Sequence, residues 1–127
     1  MKDVSVLAGR ILLALIFILS GWGKISGYAG SQQYMESMGV PGALLPLVIA
    51  VELGGGLAVA FGLLTRLAAA GLAAFCLVAA AIFHTDFANQ MQFIMFMKNL
   101  AMAGGFLVLT AYGPGAFSVD AWRMRAK

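Results

Sequence analysis

LLPLVIAVELGGGLAVAFGLL, residues 44–64, is an apolar run broken by a single carboxylate, Glu52. At 1.5 Å per helical residue, about 20 such residues are long enough to cross the hydrocarbon core of a bilayer. A charge near the middle of such a run is costly to expose to lipid, so Glu52 is expected to face other helices or a polar cavity. The rest of the chain supplies those helices. Apolar runs at 4–22, 67–85 and 91–112 have similar length. Together the four predict an all-α, polytopic membrane protein: a four-transmembrane-helix bundle forming one domain over residues 1–127.

Composition points the same way. Of 127 residues, 62% are hydrophobic and only 10% are charged, against roughly 45–50% and 25% in soluble domains. A soluble core cannot absorb that excess, because a small domain still exposes much of its surface to water. The net charge is +3, but the basic residues are scattered, with no Lys/Arg-rich run interleaved with aromatics. That argues against a nucleic-acid partner and for membrane topology as the source of the positive balance.

The chemistry-bearing residues are few. The one cysteine, Cys76, excludes an internal disulfide or a CxxC redox pair and reads as a buried structural thiol. A single histidine excludes bis-histidine haem ligation, and no HExxH or Cys/His cluster suggests zinc. The methionines read as core filler. GxGxxG, phosphate-loop and nucleophile-elbow patterns are missing.

The first apolar run follows Lys2, as a signal peptide would. It is longer than a 7–15-residue signal core, Arg10 interrupts it, and no A-x-A-like site follows, so it is expected to remain as a span. In the loop GKISGYAGSQQYMESMGVPG, Ser31 is placed to cap a short interfacial helix that Gly39 ends and Pro41 keeps from continuing. Tyr28 and Tyr34 suit headgroup depth. This helix reads either as a spacer between the first two spans, the preferred reading, or as a lid over a site. Lys2, Arg66, Arg123, Arg125 and Lys127 fall on one side of the membrane, which the positive-inside rule makes the cytoplasm, with both termini.

Depth sorts the remaining polar groups. Glu52 and Lys98 lie at comparable levels, roughly 10–14 Å below the outer ends of their helices, and are expected to pair, since either charge alone would be uncompensated. Lys24 and His84 lie nearer the outer mouth. The expected result is an outward-opening polar pocket of Glu52, Lys98, Asn99, His84 and Lys24. At the opposite face, Arg10 is expected to pair with Asp120 once the tail folds back. The Glu52–Lys98 pair reads either as part of a ligand site or as a lock on helix register. His84 reads as an interfacial histidine or as a ligand donor.

The blocks GRILLALIFILSGWGKISGYAG at 9–30, GVPG at 39–42, ELGGGLAVAFGLLTR at 52–66 and MKNLAMAGGFLVLTAYGPGAFSVD at 97–120 resemble the DoxX family of small four-helix bacterial membrane proteins. In particular the chain is similar to the short inner-membrane members labelled quinol oxidase subunits. Arg10, Gly21, Lys24, Glu52, Gly55, Arg66, Lys98, Asn99, Gly105 and Asp120 match the family's motifs. The resemblance implies a multi-pass protein of the bacterial inner membrane. It also implies an accessory or quinone-interacting subunit of an electron-transfer system, with a quinone as ligand and no metal, haem or flavin of its own. On that reading Lys98, Asn99 or His84 donates to the quinone carbonyls, and Glu52 takes or passes a proton. A redox partner protein supplies the electron carrier, beside the lipid bilayer and further copies of the chain as partners. Two rival functions remain: a membrane scaffold docking a soluble redox or stress-response enzyme, and a small proton-coupled transporter. Whether the chain catalyses anything by itself stays open.

Overall fold

The computed structural model describes residues 2–126. Four helices are long and apolar enough to span a membrane: α1 (Lys2–Ser26), a composite second span (Gly42–Phe61), α5 (Thr65–Phe83) and α6 (Gln90–Tyr112). A short helix, α2 (Tyr28–Ser37), joins the first two spans, and α7 (Val119–Ala126) forms the tail. The first span outruns the apolar run 4–22 at both ends, because polar residues at a membrane surface continue a helix without penalty. That extra turn carries Lys24 on the helix instead of in the loop.

The second span is not uniform. A 3-10 turn (Gly42–Leu44) leads into α3 (Leu45–Ile49), then a π-helical turn (Ala50–Gly54), then α4 (Gly55–Phe61). The π turn contains Glu52. Such wide turns are rare and favour functional positions, since they re-aim the side chains they carry.

The spans pack as two pairs. α5 lies along α6, and α1 lies along α4 and the π turn. The pairs meet at the end of the bundle that holds both termini. There the Phe17 ring meets Phe106 edge-on at 5.5 Å and Phe75 at 6.2 Å, within a core that includes Ala14, Val59, Leu72 and Cys76. Small residues set the approach: a Cβ on Gly56 would lie 3.0 Å from Ile18 Cγ1, and one on Gly105 3.1 Å from Leu13 Cδ2. Large apolar side chains such as Leu12, Leu19, Leu67 and Val108 remain on the outside, where a bilayer solvates them.

Arg10 and Asp120 do not form the expected pair; each instead binds the end of a helix. The Arg10 guanidinium, on a residue 1% exposed, donates to the Val59 carbonyl at 3.3 Å, to Ala60 at 3.5 Å and to Phe117. The Val59 and Ala60 carbonyls lie in the last turn of α4, where a cation is favoured. The Asp120 carboxylate accepts from the amides of Leu64 and Thr65, both at 2.8 Å, and from the Thr65 hydroxyl at 2.7 Å. It therefore caps the N-terminus of α5, where an anion is favoured. Partial burial pushes the Asp120 carboxyl up, but the hydrogen bonds from Thr65 and Leu64 and the charge of Arg123 outweigh it and hold its pKa below the ordinary value. Arg66 closes the last turn of α6 in the same way, donating to the carbonyls of Thr110, Ala111 and Tyr112. The tail does fold back, onto the α4–α5 turn. Lys127 lies outside the described residues; Lys2, stacked over Tyr112, Arg66 and Arg125 share this end.

Candidate functional site

At the opposite end of the bundle the two helix pairs separate around a cavity of about 790 Å³. Its lining is mostly apolar, with Lys24, Glu52, Ser20, Tyr34, His84 and Asn99 as polar contributors. Glu52, 5% exposed, projects from the π turn. Lys24 Nζ lies 2.7 Å from Glu52 Oε1 and donates to Ser20 Oγ at 2.7 Å. This is the one ion pair among the described residues. Oε1 meets the ammonium as a charge, but none of the described donors gives it a well-directed hydrogen bond.

Glu52 thus pairs with Lys24, and the expected Glu52–Lys98 pair is not formed. Lys98 is exposed and does not line the cavity. The physical reason is the direction in which helical side chains lean. They tilt toward the N-terminus of their own helix. On α1 this carries the Lys24 ammonium down into the bundle, level with Ser20 one turn earlier. On α6 it carries Lys98 up toward the α2 end. The cavity face of α6 presents Met95, Asn99 and Met102, and Lys98 is rotated off that stripe. Matched depth was necessary for pairing and did not suffice.

Of the expected site residues, Glu52, Lys24, His84 and Asn99 are brought around one cavity. Asn99 Nδ2 donates one of its two hydrogens to the Met95 carbonyl at 2.9 Å, which leaves its second N–H and its side-chain oxygen to offer. His84 ends α5, and burial lowers its pKa, so at neutral pH it offers a neutral imidazole. Ser20 escaped the sequence reading, and Tyr34 was read only as an interfacial aromatic. The 3.6-residue period places Ser20 one turn from Lys24, so Ser20 was recoverable, while the π turn left no signal in composition.

The loop helix covers this cavity. Ser31, Tyr34 and Met35 of α2 line it, and the Tyr34 ring stacks on Phe83 at 5.5 Å. The helix therefore lies over the cavity, a position compatible with both sequence readings, spacer and lid. It begins at Tyr28, so Ser31 lies within its first turn and does not cap it. Its end is as expected. Gly39, at φ +81, donates to the Glu36 carbonyl at 3.1 Å while the Val40 amide reaches Met35 at 2.9 Å. This is the 5→2 and 6→1 closure of a Schellman turn.

Chemically, the base of the cavity offers an ammonium donor beside a carboxylate acceptor, under a mainly apolar chamber. Its volume lies within the roughly 300–1,000 Å³ of small-molecule sites. The arrangement suits a ligand whose polar head carries both a hydrogen-bond acceptor and a removable proton, on an otherwise apolar body.

The family model described as DoxX matches residues 5–85. The chain belongs to the DoxX family. The match takes in the first three spans and includes Lys24, Glu52 and His84, while Asn99 lies beyond it. Among curated relatives, the chain is 58% identical over 120 residues to the inner membrane protein YqjF of Escherichia coli (strain K12), covering 94% of this chain and 92% of YqjF. It is 38% identical over 126 residues to the inner membrane protein YphA of the same strain, covering 94% and 90%. A shorter match, 35% over 65 residues, covers 51% of this chain and 48% of CatD of Bacillus subtilis (strain 168), a protein provisionally named an oxidoreductase. No solved structure matches the chain. As a DoxX-family protein with four spanning helices, it is an integral membrane protein in contact with the bilayer.

Proposed function

We propose that this DoxX-family protein lies in the bacterial inner membrane with both termini in the cytoplasm and binds a quinone headgroup above the Lys24–Glu52 pair. In this role it is an accessory subunit of a quinone-linked electron-transfer system. The observation that carries the reading is the Lys24–Glu52 ion pair set at the base of an apolar cavity inside the membrane-spanning bundle. Ionisable residues within spanning helices are costly and typically mark a binding or proton-handling site. The names of YqjF and YphA support the membrane assigned, and that of CatD supports a redox setting.

Within the site, Lys24 donates to a quinone carbonyl and Glu52 accepts the proton of the quinol hydroxyl. The free Asn99 N–H and the neutral His84 ring, as donors, hold the far carbonyl of the ring. With one cysteine and one histidine, the chain has few ligands for an electron carrier, and a redox partner protein supplies it. The test is mass spectrometry of the organic extract from protein purified in mild detergent. The wild type is expected to retain close to one quinone per chain. In Glu52→Gln, retention is expected to fall about tenfold, equivalent to roughly 1.4 kcal/mol of binding. Equal retention by both proteins overturns the assignment of the site, and retention by neither overturns quinone binding and favours a scaffold.

A further inference from the structure

We infer that the site takes a long-tailed, membrane-resident ligand that enters sideways from the leaflet holding α2, through the cleft between the second and third spans. This rests on the reading of the cavity as a quinone site and adds the class of quinone and its route.

The cleft follows from how the second span packs. α4 is packed on α5, contact thins at the π turn, and α3 makes no comparable contact with α5. The two spans therefore diverge from the Gly62–Leu64 turn toward the α2 end. Along that divergence, four cavity-lining side chains also stand on the outer surface: Leu44 and Leu47 on one edge, Val78 and Ile82 on the other. Leu47 is 61% and Val78 56% exposed. All four are apolar, as the rim of an opening into hydrocarbon must be.

The other routes suit a tail less. Toward the aqueous end, α2 lies over the cavity and Tyr34 is stacked on Phe83. α1 and α6 also part, with Ile16 and Met95 exposed, but that side of the cavity carries the polar Asn99 one helical turn from Met95, which an apolar tail would leave without a partner. A ligand with its ring on Lys24 and Glu52 can thus lay an isoprenoid or alkyl tail past Leu47 and Val78 into the bilayer. A water-soluble ring compound gains nothing from that rim, whereas a tail anchored in the bilayer raises the ligand's local concentration beside it.

The experiment measures binding of a tail-less quinone and a long-tailed prenyl quinone to the full chain in lipid nanodiscs. The wild type is compared with Val78→Trp, Leu47→Trp and Ile16→Trp. All three positions are exposed, so the larger side chain has room, and two of them test the same cleft independently. The wild type is expected to bind the long-tailed quinone at least tenfold more tightly. Val78→Trp and Leu47→Trp are expected to lose about tenfold for the long-tailed compound and stay within twofold for the tail-less one. Ile16→Trp is expected to change neither. Unchanged long-tailed binding in both cleft variants, or its loss in Ile16→Trp alone, overturns the route while leaving the quinone site standing. Equal wild-type affinity for the two compounds overturns the tail class. Failure of the wild type to bind either quinone overturns the site reading itself, and this inference with it.

Discussion

Lys24→Met is expected to destabilise the protein by about 2–3 kcal/mol, more than any other single change among the cavity's polar groups. The substitution strands the Glu52 carboxylate, which has no other charged partner within ion-pair distance among the described residues. Breaking a buried pair by removing one partner costs about 3–5 kcal/mol, reduced here because the Lys24 side chain is 29% exposed. Glu52→Gln is expected to cost only about 1 kcal/mol, because Lys24 keeps Ser20 Oγ and part of its hydration. The double variant Lys24→Met/Glu52→Gln is expected to lie within about 1 kcal/mol of the wild type, since it leaves no uncompensated charge. Unfolding in detergent of the four proteins closes this cycle. Additive losses would show that the two residues do not interact. Coupling of Glu52→Gln to Lys98→Met, in place of Lys24→Met, would return the pairing to the one that depth alone suggested.

The second large effect is expected at Gly62, far from the cavity. Gly62 sits at φ +73, and a Cβ there would collide with Arg10 and with Ser118. Gly62→Ala thus meets two costs at once. The left-handed backbone costs an L-residue about 1–2 kcal/mol. The displaced guanidinium also gives up part of its bonding to Val59, Ala60 and Phe117, and the loss of one hydrogen bond to a charged group costs about 1.5–3 kcal/mol. A loss on the order of 4 kcal/mol is expected on these terms, large against the marginal stability of a small domain. Gly71→Ala is the control: that glycine lies mid-helix in α5 with nothing near its would-be Cβ, and alanine there is expected to be neutral or stabilising by up to about 1 kcal/mol. Similar losses at Gly62 and Gly71 would mean that the Arg10 clamp contributes little.

Hydropathy carried most of the architecture. The four spans, the loop helix between the first two and its end at Gly39 all follow from local pattern, because each depends on residues near one another in sequence. The site was legible in part. Glu52 was marked by its cost in lipid, and Lys24, His84 and Asn99 by residue type near the same end. The pairing was not legible, for two reasons. Helical length fixes depth, but rotation about the helix axis and the lean of the side chain decide which charge reaches which, and this turned Lys98 away from Glu52. Arg10 and Asp120 illustrate the second reason: opposite charges at one surface were matched to each other, while the polar ends of α4 and α5 offered each a closer partner. The π turn at Ala50–Gly54 depends on packing against α1 and has no counterpart in composition.

The measurement that tests the account most directly is photo-labelling of the full chain in nanodiscs with a prenyl quinone carrying a photoreactive group on its ring. Adducts are then mapped by peptide sequencing with and without excess unmodified quinone. The account predicts competable adducts on the α1 and second-span peptides, centred on the turns that carry Lys24 and Glu52. Adducts confined to the outer face of α6 around Lys98, or labelling that excess quinone does not displace, would contradict it.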